Sequence, residues 1–201
     1  MTARVLLVGI VFASAMMLSG CVSIVSGTAV RNMKTVPANV PRLDESAINT
    51  VLLPIDEIND ILGTTGLKIT SDIKDMTDSS DKGSDVDCLG AMFGAEEPVY
   101  KGSDWTAVRD VVAREPENDN DHWVEQTVVI YPESGNADRF LQRSRSIWQK
   151  CSASSLAVDT EGTSSLWEFS DVSSGDGLIS QTATQEDAGG WGCQHALAAA
   201  S

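Results

Sequence analysis

The sequence predicts an α+β domain with a central, largely antiparallel sheet, flanking helices and a stapling disulfide. The strongest strand pattern, Val124–Tyr131, is followed by the strongest amphipathic helix and then by three strand-like runs separated by Gly, Ser and Asp residues. This strand–helix–strand–strand–strand order is typical of a helix packed on an antiparallel sheet. Three cysteines in the body of the chain, Cys88, Cys151 and Cys193, are available for disulfide formation.

The start of the chain is typical of a bacterial lipoprotein signal peptide. Arg4 precedes an uncharged apolar run, Val5–Leu18, whose length of about 14 residues is too short to span a bilayer. The run ends in Leu18-Ser19-Gly20-Cys21, which matches the lipobox of an aliphatic residue, two small residues and a cysteine. We therefore expect residues 1–20 to be cleaved off and Cys21 to be acylated. The alternative is an uncleaved anchor, or an ordinary signal peptide with a coincidental cysteine.

Acylation would place the protein on the extracytoplasmic face of the plasma membrane. Two or three acyl chains, palmitate among them, anchor durably because each buried methylene contributes about 0.8 kcal/mol. Residues 21–43, with Pro37 and Pro41, show no sustained period and are interpreted as a flexible tether. Residues 44–201 are then expected to form one sensor-like extracytoplasmic domain, a length that suits a single core.

The charge of the chain restricts its partners. The net charge of −15 becomes −16 once the leader with Arg4 is removed. Such a domain is repelled by nucleic acid and by anionic head groups. We therefore expect no nucleic-acid partner, and contact with the membrane only through the lipid.

The first structured element is predicted to be a helix that begins near Pro54 and ends at Gly63. Proline is common in a first helical turn, and glycine is common just past a helix end. The apolar residues between them recur at helical spacing: Ile55, Ile58, Ile61 and Leu62.

The middle of the chain alternates loops and strands. Residues 72–87 are rich in Asp, Ser and Gly and predict a loop. A strand is predicted over Trp105–Ala113, a polar hinge over Glu115–His122 and the best strand over Val124–Tyr131. Residues 132–136 are predicted to turn the chain.

A long amphipathic helix is predicted next, and three strands after it. The helix has an apolar seam consisting of Ala137, Phe140, Leu141, Ser144, Ile147, Trp148 and Cys151. The strands are predicted over Leu166–Val172, Leu178–Thr184 and Trp191–Ala199.

The cysteines differ in their expected fates. In an exported protein, well-separated cysteines more often pair than stay free. Cys151 lies on the apolar seam, and a bridge to Cys88 would contribute roughly 4 kcal/mol by chain-entropy arithmetic. Cys193 is then left over, as a free thiol, an intermolecular bridge, or a cysteine whose partner is absent from the sequence.

Several short motifs resemble the family of extracellular sensor domains of mycobacterial PknH-type receptor Ser/Thr kinases, together with its stand-alone lipoprotein members. The matching residues are Leu52-Leu53-Pro54, Cys88, Trp148-Gln149-Lys150-Cys151 and Trp191-Gly192-Cys193-Gln194-His195-Ala196-Leu197. The resemblance implies a central sheet with flanking helices, two intramolecular disulfides and a cleft for an unidentified ligand of the mycobacterial cell envelope. It also implies a further strand with a fourth cysteine and a final helix. We therefore expect a domain that is shortened at its C-terminus, or one whose C-terminal region has diverged.

The sequence contains no pattern of catalytic, cofactor-binding or metal-binding residues. Cys193 with His195 two residues on is the only local candidate for nucleophilic catalysis, and an unpaired structural cysteine is the favoured interpretation. His122 and His195 lie far apart and lack zinc-ligand spacing. The acidic stretches 78–87 and 117–121 do not follow the order of a Ca²⁺ loop and are interpreted as solvated loops.

The tryptophans allow two interpretations. Trp105, Trp123, Trp167 and Trp191 could line a ligand cleft, although packing in the core is favoured for such residues. The function that the sequence favours is that of a non-enzymatic, lipid-anchored module that binds an unidentified cell-envelope ligand. The alternatives are a structural lipoprotein that contacts another envelope protein and, third, an envelope hydrolase.

Overall fold

The computed structural model describes residues 43–116, 121–160, 162–175, 177–186 and 192–200. The predicted signal peptide, Cys21, residues 21–42 of the predicted tether and Trp191 lie outside the described residues. All described residues fall within one compact unit of the chain. None of the helices in these ranges is both long enough and apolar enough to cross a membrane.

The described elements alternate short helices with antiparallel strands. The helices are α1 (Ile55–Leu62), α2 (Val86–Leu89), α3 (Glu97–Tyr100) and α4 (Ser134–Cys151), preceded by a 3-10 turn over Glu45–Thr50. The strands are β1 (Lys68–Ile73), β2 (Ala107–Arg114), β3 (Trp123–Ile130), β4 (Ser155–Thr160), β5 (Thr163–Phe169), β6 (Ser173–Gly175), β7 (Leu178–Gln185) and β8 (Gly192–Ala198).

The strands form two antiparallel sheets. The first has the order β1-β2-β3, so β3 is an edge strand. The second has the order β4-β5-β7-β6, and β8 pairs with the other side of β7. The predicted α+β class with antiparallel strands is confirmed, with the strands divided between two sheets instead of one central sheet.

Helix α1 is confirmed, and its ends follow from two residues. Pro54 is the N-cap, one position before the first helical residue, and Gly63 ends the helix with φ 69°. Only glycine adopts this left-handed conformation without strain. Asn59 then holds the chain after the helix, since its side chain bonds to both the N–H (3.1 Å) and the C=O (3.3 Å) of Leu67.

Helix α4 packs its predicted seam on the second sheet. Trp148 and Cys151 are each only 1 % exposed, in a core shared with residues of β4, β5 and β7. The helix begins at Ser134, inside the predicted turn. Gln181 of β7 contacts the C-terminal end of the helix, where its Nε2 donates to the Trp148 carbonyl at 3.3 Å and to Ser152 Oγ at 2.8 Å.

The predicted Cys88–Cys151 disulfide is present and joins α2 to the last residue of α4. The two Cα atoms are 5.7 Å apart, and both residues belong to the buried core. Cys193 is a free, half-buried thiol. The bridge holds α2, and the chain that follows it, against the second sheet.

The sequence did not predict strands β1 and β4 or helices α2 and α3. Strand β1 is mostly exposed and has isoleucine only at Ile69 and Ile73, and its backbone pairs with β2. Strand β4 forms a tight hairpin with β5, which buries Leu156 and Val158. Helices α2 and α3 have only four residues each, too few to show a helical period.

Candidate functional site

A cleft of about 780 Å³ opens between the edge strands of the two sheets. Strand β3 lines one side and β8 the other, with the region of α2 and α3 completing the lining. The lining residues are Leu62, Met92, Gly94, Tyr100, Asp121, His122, Trp123, Val124, Glu125, Thr127 and 192–197.

Two carboxyl groups meet on the first wall. Asp110 of β2 is only 5 % exposed and lies directly opposite Thr127 of β3, whose Oγ1 donates to Asp110 Oδ1. Glu125 lies two residues before Thr127 on the same face of β3, and its Oε1 accepts from the Gly94 N–H at 3.0 Å. Two acidic side chains are thus placed together in a partly desolvated wall of the cleft.

Burial raises the pKa of Glu125 to about 8, and the neighbouring Asp110 charge and hydrogen bond act in the same direction. Because this value lies above neutral pH, Glu125 is mainly protonated there. The buried Glu96 adds to the effect on Glu125, and burial raises the pKa of Glu96 as well. A cation that bound to Glu125 would displace the proton of this carboxyl group.

Gly94 allows the backbone to approach this pair. A Cβ atom added at Gly94 would lie 2.6 Å from Glu125 Oε1 and would overlap the Thr127 hydroxyl. The bond from the Gly94 N–H to Glu125 therefore requires a residue without a side chain at position 94.

The opposite wall is built by alternation along β8. Cys193, His195 and Leu197 face inward and are half-buried, whereas the residues between them are exposed. The His195 ring packs on Trp148, with centroids 4.8 Å apart, and interacts with the Ala91 carbonyl.

Burial keeps the His195 imidazole neutral, since it lowers the pKa to about 4. Its Nδ1 is buried and has no hydrogen-bond partner among the described residues. Burial also raises the pKa of the Cys193 thiol, which disfavours the thiolate. This wall therefore contains a neutral imidazole and an unreactive thiol.

The mouth of the cleft combines an aromatic ring with a hydrogen-bonded His–Glu pair. Trp123 is 39 % exposed at the start of β3. His122 beside it bonds twice to Glu115, through Nδ1 at 2.8 Å and through its backbone N–H at 2.9 Å. The bond from the His122 side chain lowers the pKa of Glu115.

The structure does not bring the four predicted tryptophans together. Trp123 lines the cleft. Trp167 is only 8 % exposed and lies in the core of the second sheet, in agreement with the core packing that the sequence favours. Trp105 is half-buried and is not part of the cleft lining. Trp191 lies outside the described residues.

The described residues contain no hydrogen-bonded catalytic pair and no metal-binding cluster. The hydrogen bonds of the described residues do not join a Ser or Cys side chain to the His122 or the His195 ring. In the loop 78–87, Asp78 and Asp85 cap backbone N–H groups at Ser80 and Asp87, both at 3.0 Å. Within the described ranges, no group of three or more His, Cys, Asp or Glu side chains is arranged to hold a metal ion.

The carboxyl pair was missed by sequence reasoning. Asp110 follows Arg109 in the predicted strand 105–113 and precedes the apolar Val111 and Val112, and Glu125 lies in a strand rich in β-branched residues. Burial of either carboxylate would have indicated a partner close by, because carboxylates are rarely buried unless they are paired. Their meeting depends on the β2–β3 register, which a single sequence does not reveal.

Comparison with known proteins identifies relatives of the whole described domain. A family model described as the PknH-like extracellular domain matches residues 43–201. A solved structure, the extracellular domain of PknH from Mycobacterium tuberculosis, superposes with a TM-score of 0.75 at 31% sequence identity. The superposition covers 80% of this chain and 82% of that chain.

The curated relatives are much longer proteins. The serine/threonine-protein kinase PknH of Mycobacterium bovis is 32% identical over 157 residues, which is 78% of this chain and 26% of that protein. The protein of the same name from Mycobacterium tuberculosis gives the same identity, with 25% of its length covered. The chain thus spans about a quarter of the length of the curated relatives that it matches, and kinase activity is a property stated of those proteins.

Proposed function

Because the chain belongs to the family of PknH-like extracellular domains, we propose that it binds a cell-envelope ligand in the cleft between β3 and β8 while a lipid on Cys21 holds it at the plasma membrane. Membership in a family of extracellular domains supports a sensor-like, extracytoplasmic role.

The observation that carries the ligand proposal is the partly desolvated carboxyl group in the wall of the cleft. Glu125 lines the cleft beside Asp110, and burial raises its pKa to about 8. A ligand group that binds the Glu125 carboxyl group would offset part of its desolvation cost. The volume of about 780 Å³ also falls in the range of small-molecule pockets.

The same groups favour binding over catalysis. Nucleophilic catalysis requires a thiolate or hydroxyl activated by a base. Burial raises the pKa of the Cys193 thiol, and the His122 ring is engaged by Glu115 instead of by a nucleophile. We therefore propose a non-enzymatic role.

Ligand binding can be tested with a conservative variant of the pair. The full chain, purified in detergent, is titrated with fractionated envelope extract while its melting temperature is followed. We expect a fraction that raises the melting temperature of the wild type and raises it much less for Glu125→Gln. Glu168→Gln is the matched control, because Glu168 is exposed on β5 and does not line the cleft. Equal stabilisation of both variants would place the ligand elsewhere.

The lipid anchor can be tested by mass spectrometry of the membrane-extracted protein. We expect a mature N-terminus at Cys21 with a diacylglyceryl group, and release of Cys21→Ser from the membrane fraction. An N-terminus that carries no lipid would rule out the anchor without affecting the ligand proposal.

A further inference from the structure

Strand β8 offers a backbone edge that no described segment occupies. Its register with β7 places Ala199 opposite Gly177, and the Ala199 N–H donates to the Gly177 carbonyl at 3.1 Å. In an antiparallel ladder the bonding direction alternates from residue to residue. The backbone groups of residues 193, 195 and 197 therefore face β7, and those of Gly192, Gln194 and Ala196 face the other way.

A hydrogen bond on the far side of β7 supports this assignment. The Thr182 carbonyl accepts from the Ser170 N–H at 2.9 Å, so the backbone of Thr182 points away from β8. Its register partner Gln194 must then point away from β7. Gly192, Gln194 and Ala196 line the cleft, which means that three pairs of backbone donors and acceptors border it.

This edge also lacks the features that normally prevent strand addition. Exposed edge strands are usually protected by charged side chains, prolines or bulges. Strand β8 reads Gly-Cys-Gln-His-Ala-Leu-Ala and contains none of the three, since His195 is neutral at physiological pH and the register is continuous. An extended chain could therefore pair with it over residues 192–196.

The facing wall indicates the charge of such a chain. Among the described residues that line the cleft, Asp121 and Glu125 are acidic and none is Lys or Arg. Asp110 is the register partner of Thr127, two residues from Glu125 on the same face of the sheet. The neutral His195, which also lines the cleft, does not repel a cation. The net charge of −15 disfavours pairing with a second copy of the chain.

We propose that the cleft receives an extended basic peptide segment, which adds as a strand to the free edge of β8 and places a lysine or arginine against the Asp110–Glu125 pair. This rests on the proposed function, because it specifies the chemical class of the ligand in the same cleft. Backbone pairing would provide affinity, and the carboxyl pair would select the side chain.

The test uses the full chain in non-ionic detergent at physiological ionic strength. The probes are fluorescein-labelled heptapeptides of alternating valine and lysine, the same peptide with glutamate for lysine, and the lysine peptide with alternate backbone nitrogens methylated. We expect binding of the first probe only, with slowed hydrogen exchange at the Gln194 and Ala196 amides. Glu125→Gln should weaken binding by about tenfold to a hundredfold, as for loss of a hydrogen bond to a charged group, and Glu168→Gln should not.

A pair of proline variants tests the strand addition itself. Ala196→Pro removes an N–H that faces the cleft and should abolish binding. Ala198→Pro places the same ring at the end of β8, beyond the cleft lining, and should leave binding intact. Equal binding of the methylated peptide, or of the glutamate peptide, would overturn the proposal.

The remaining outcomes separate this proposal from the proposed function. Absence of peptide binding overturns the proposal, and the proposed function survives if an envelope glycan or lipid fraction still protects the cleft amides. If no fraction does so, both fail. Protection of β8 that depends on protein concentration alone would indicate a second copy of the chain as the occupant, and would also overturn the proposal.

Discussion

The carboxyl group of Glu125 on β3 is held next to that of Asp110 on β2, and burial raises the pKa of Glu125 to about 8. The folded state thus binds a proton that the unfolded chain releases above about pH 4.5. The corresponding stabilisation is complete below that pH and is lost as the pH rises towards 8. The raised pKa of Glu125 can therefore be measured through the pH dependence of folding stability.

We predict that Glu125→Gln removes this loss of stability. The glutamine keeps an oxygen for the Gly94 N–H but carries no charge, so the variant should melt above the wild type at pH 8. The two should converge near pH 4.5, and each kcal/mol recovered should appear as about 2–4 °C. Calorimetry across this pH range provides the measurement, with Glu168→Gln as the control. A wild type that is more stable at pH 8 than the variant would contradict the assignment.

The disulfide makes a second prediction. Replacing both Cys88 and Cys151 by serine should lower the free energy of unfolding by about 2–4 kcal/mol, because the bridge limits the unfolded chain. Replacing Cys193 by serine should have a much smaller effect, since its thiol is free and half-buried. Urea unfolding of the three proteins gives the comparison. Two additional reactive thiols in the unreduced, denatured wild type would show that the bridge does not form.

Gly94 makes a third prediction. Gly94→Ala should destabilise the protein by about 1–3 kcal/mol, because the added methyl group meets the side chains of Thr127 and Glu125. Gly175→Ala is the matched control, since a Cβ atom there has no heavy atom within 4 Å. Equal stability of the two variants would mean that the α2–α3 segment moves freely away from β3.

His195 should remain neutral well below the usual range of histidine. Burial lowers its pKa to about 4, so the stability that depends on the neutral ring is present above about pH 6.5 and is lost as the pH falls through 4. NMR titration of the ring protons measures the value directly. A midpoint above pH 6 would contradict the packing of the ring on Trp148.

Much of the fold could be predicted because its signals are local. The seam that ends in Cys151 recurs every three or four residues and therefore identified α4, and Gly63 marked the end of α1. Strands β2, β3, β7 and β8 were recognisable from their composition. Strand β1 was missed because its two isoleucines, Ile69 and Ile73, are too few to give an alternating pattern, and its conformation depends on pairing with β2.

The sequence by itself determined the class of the fold, its main helices, the Cys88–Cys151 bridge and the family resemblance, since each depends on spacing along the chain. Only the tertiary structure decided which polar groups meet in the cleft. Asp110, Glu125 and His195 lie on three strands of two sheets, and strand register and sheet placement bring them there. Burial then sets their protonation, and burial arises from contacts between residues that are distant in sequence.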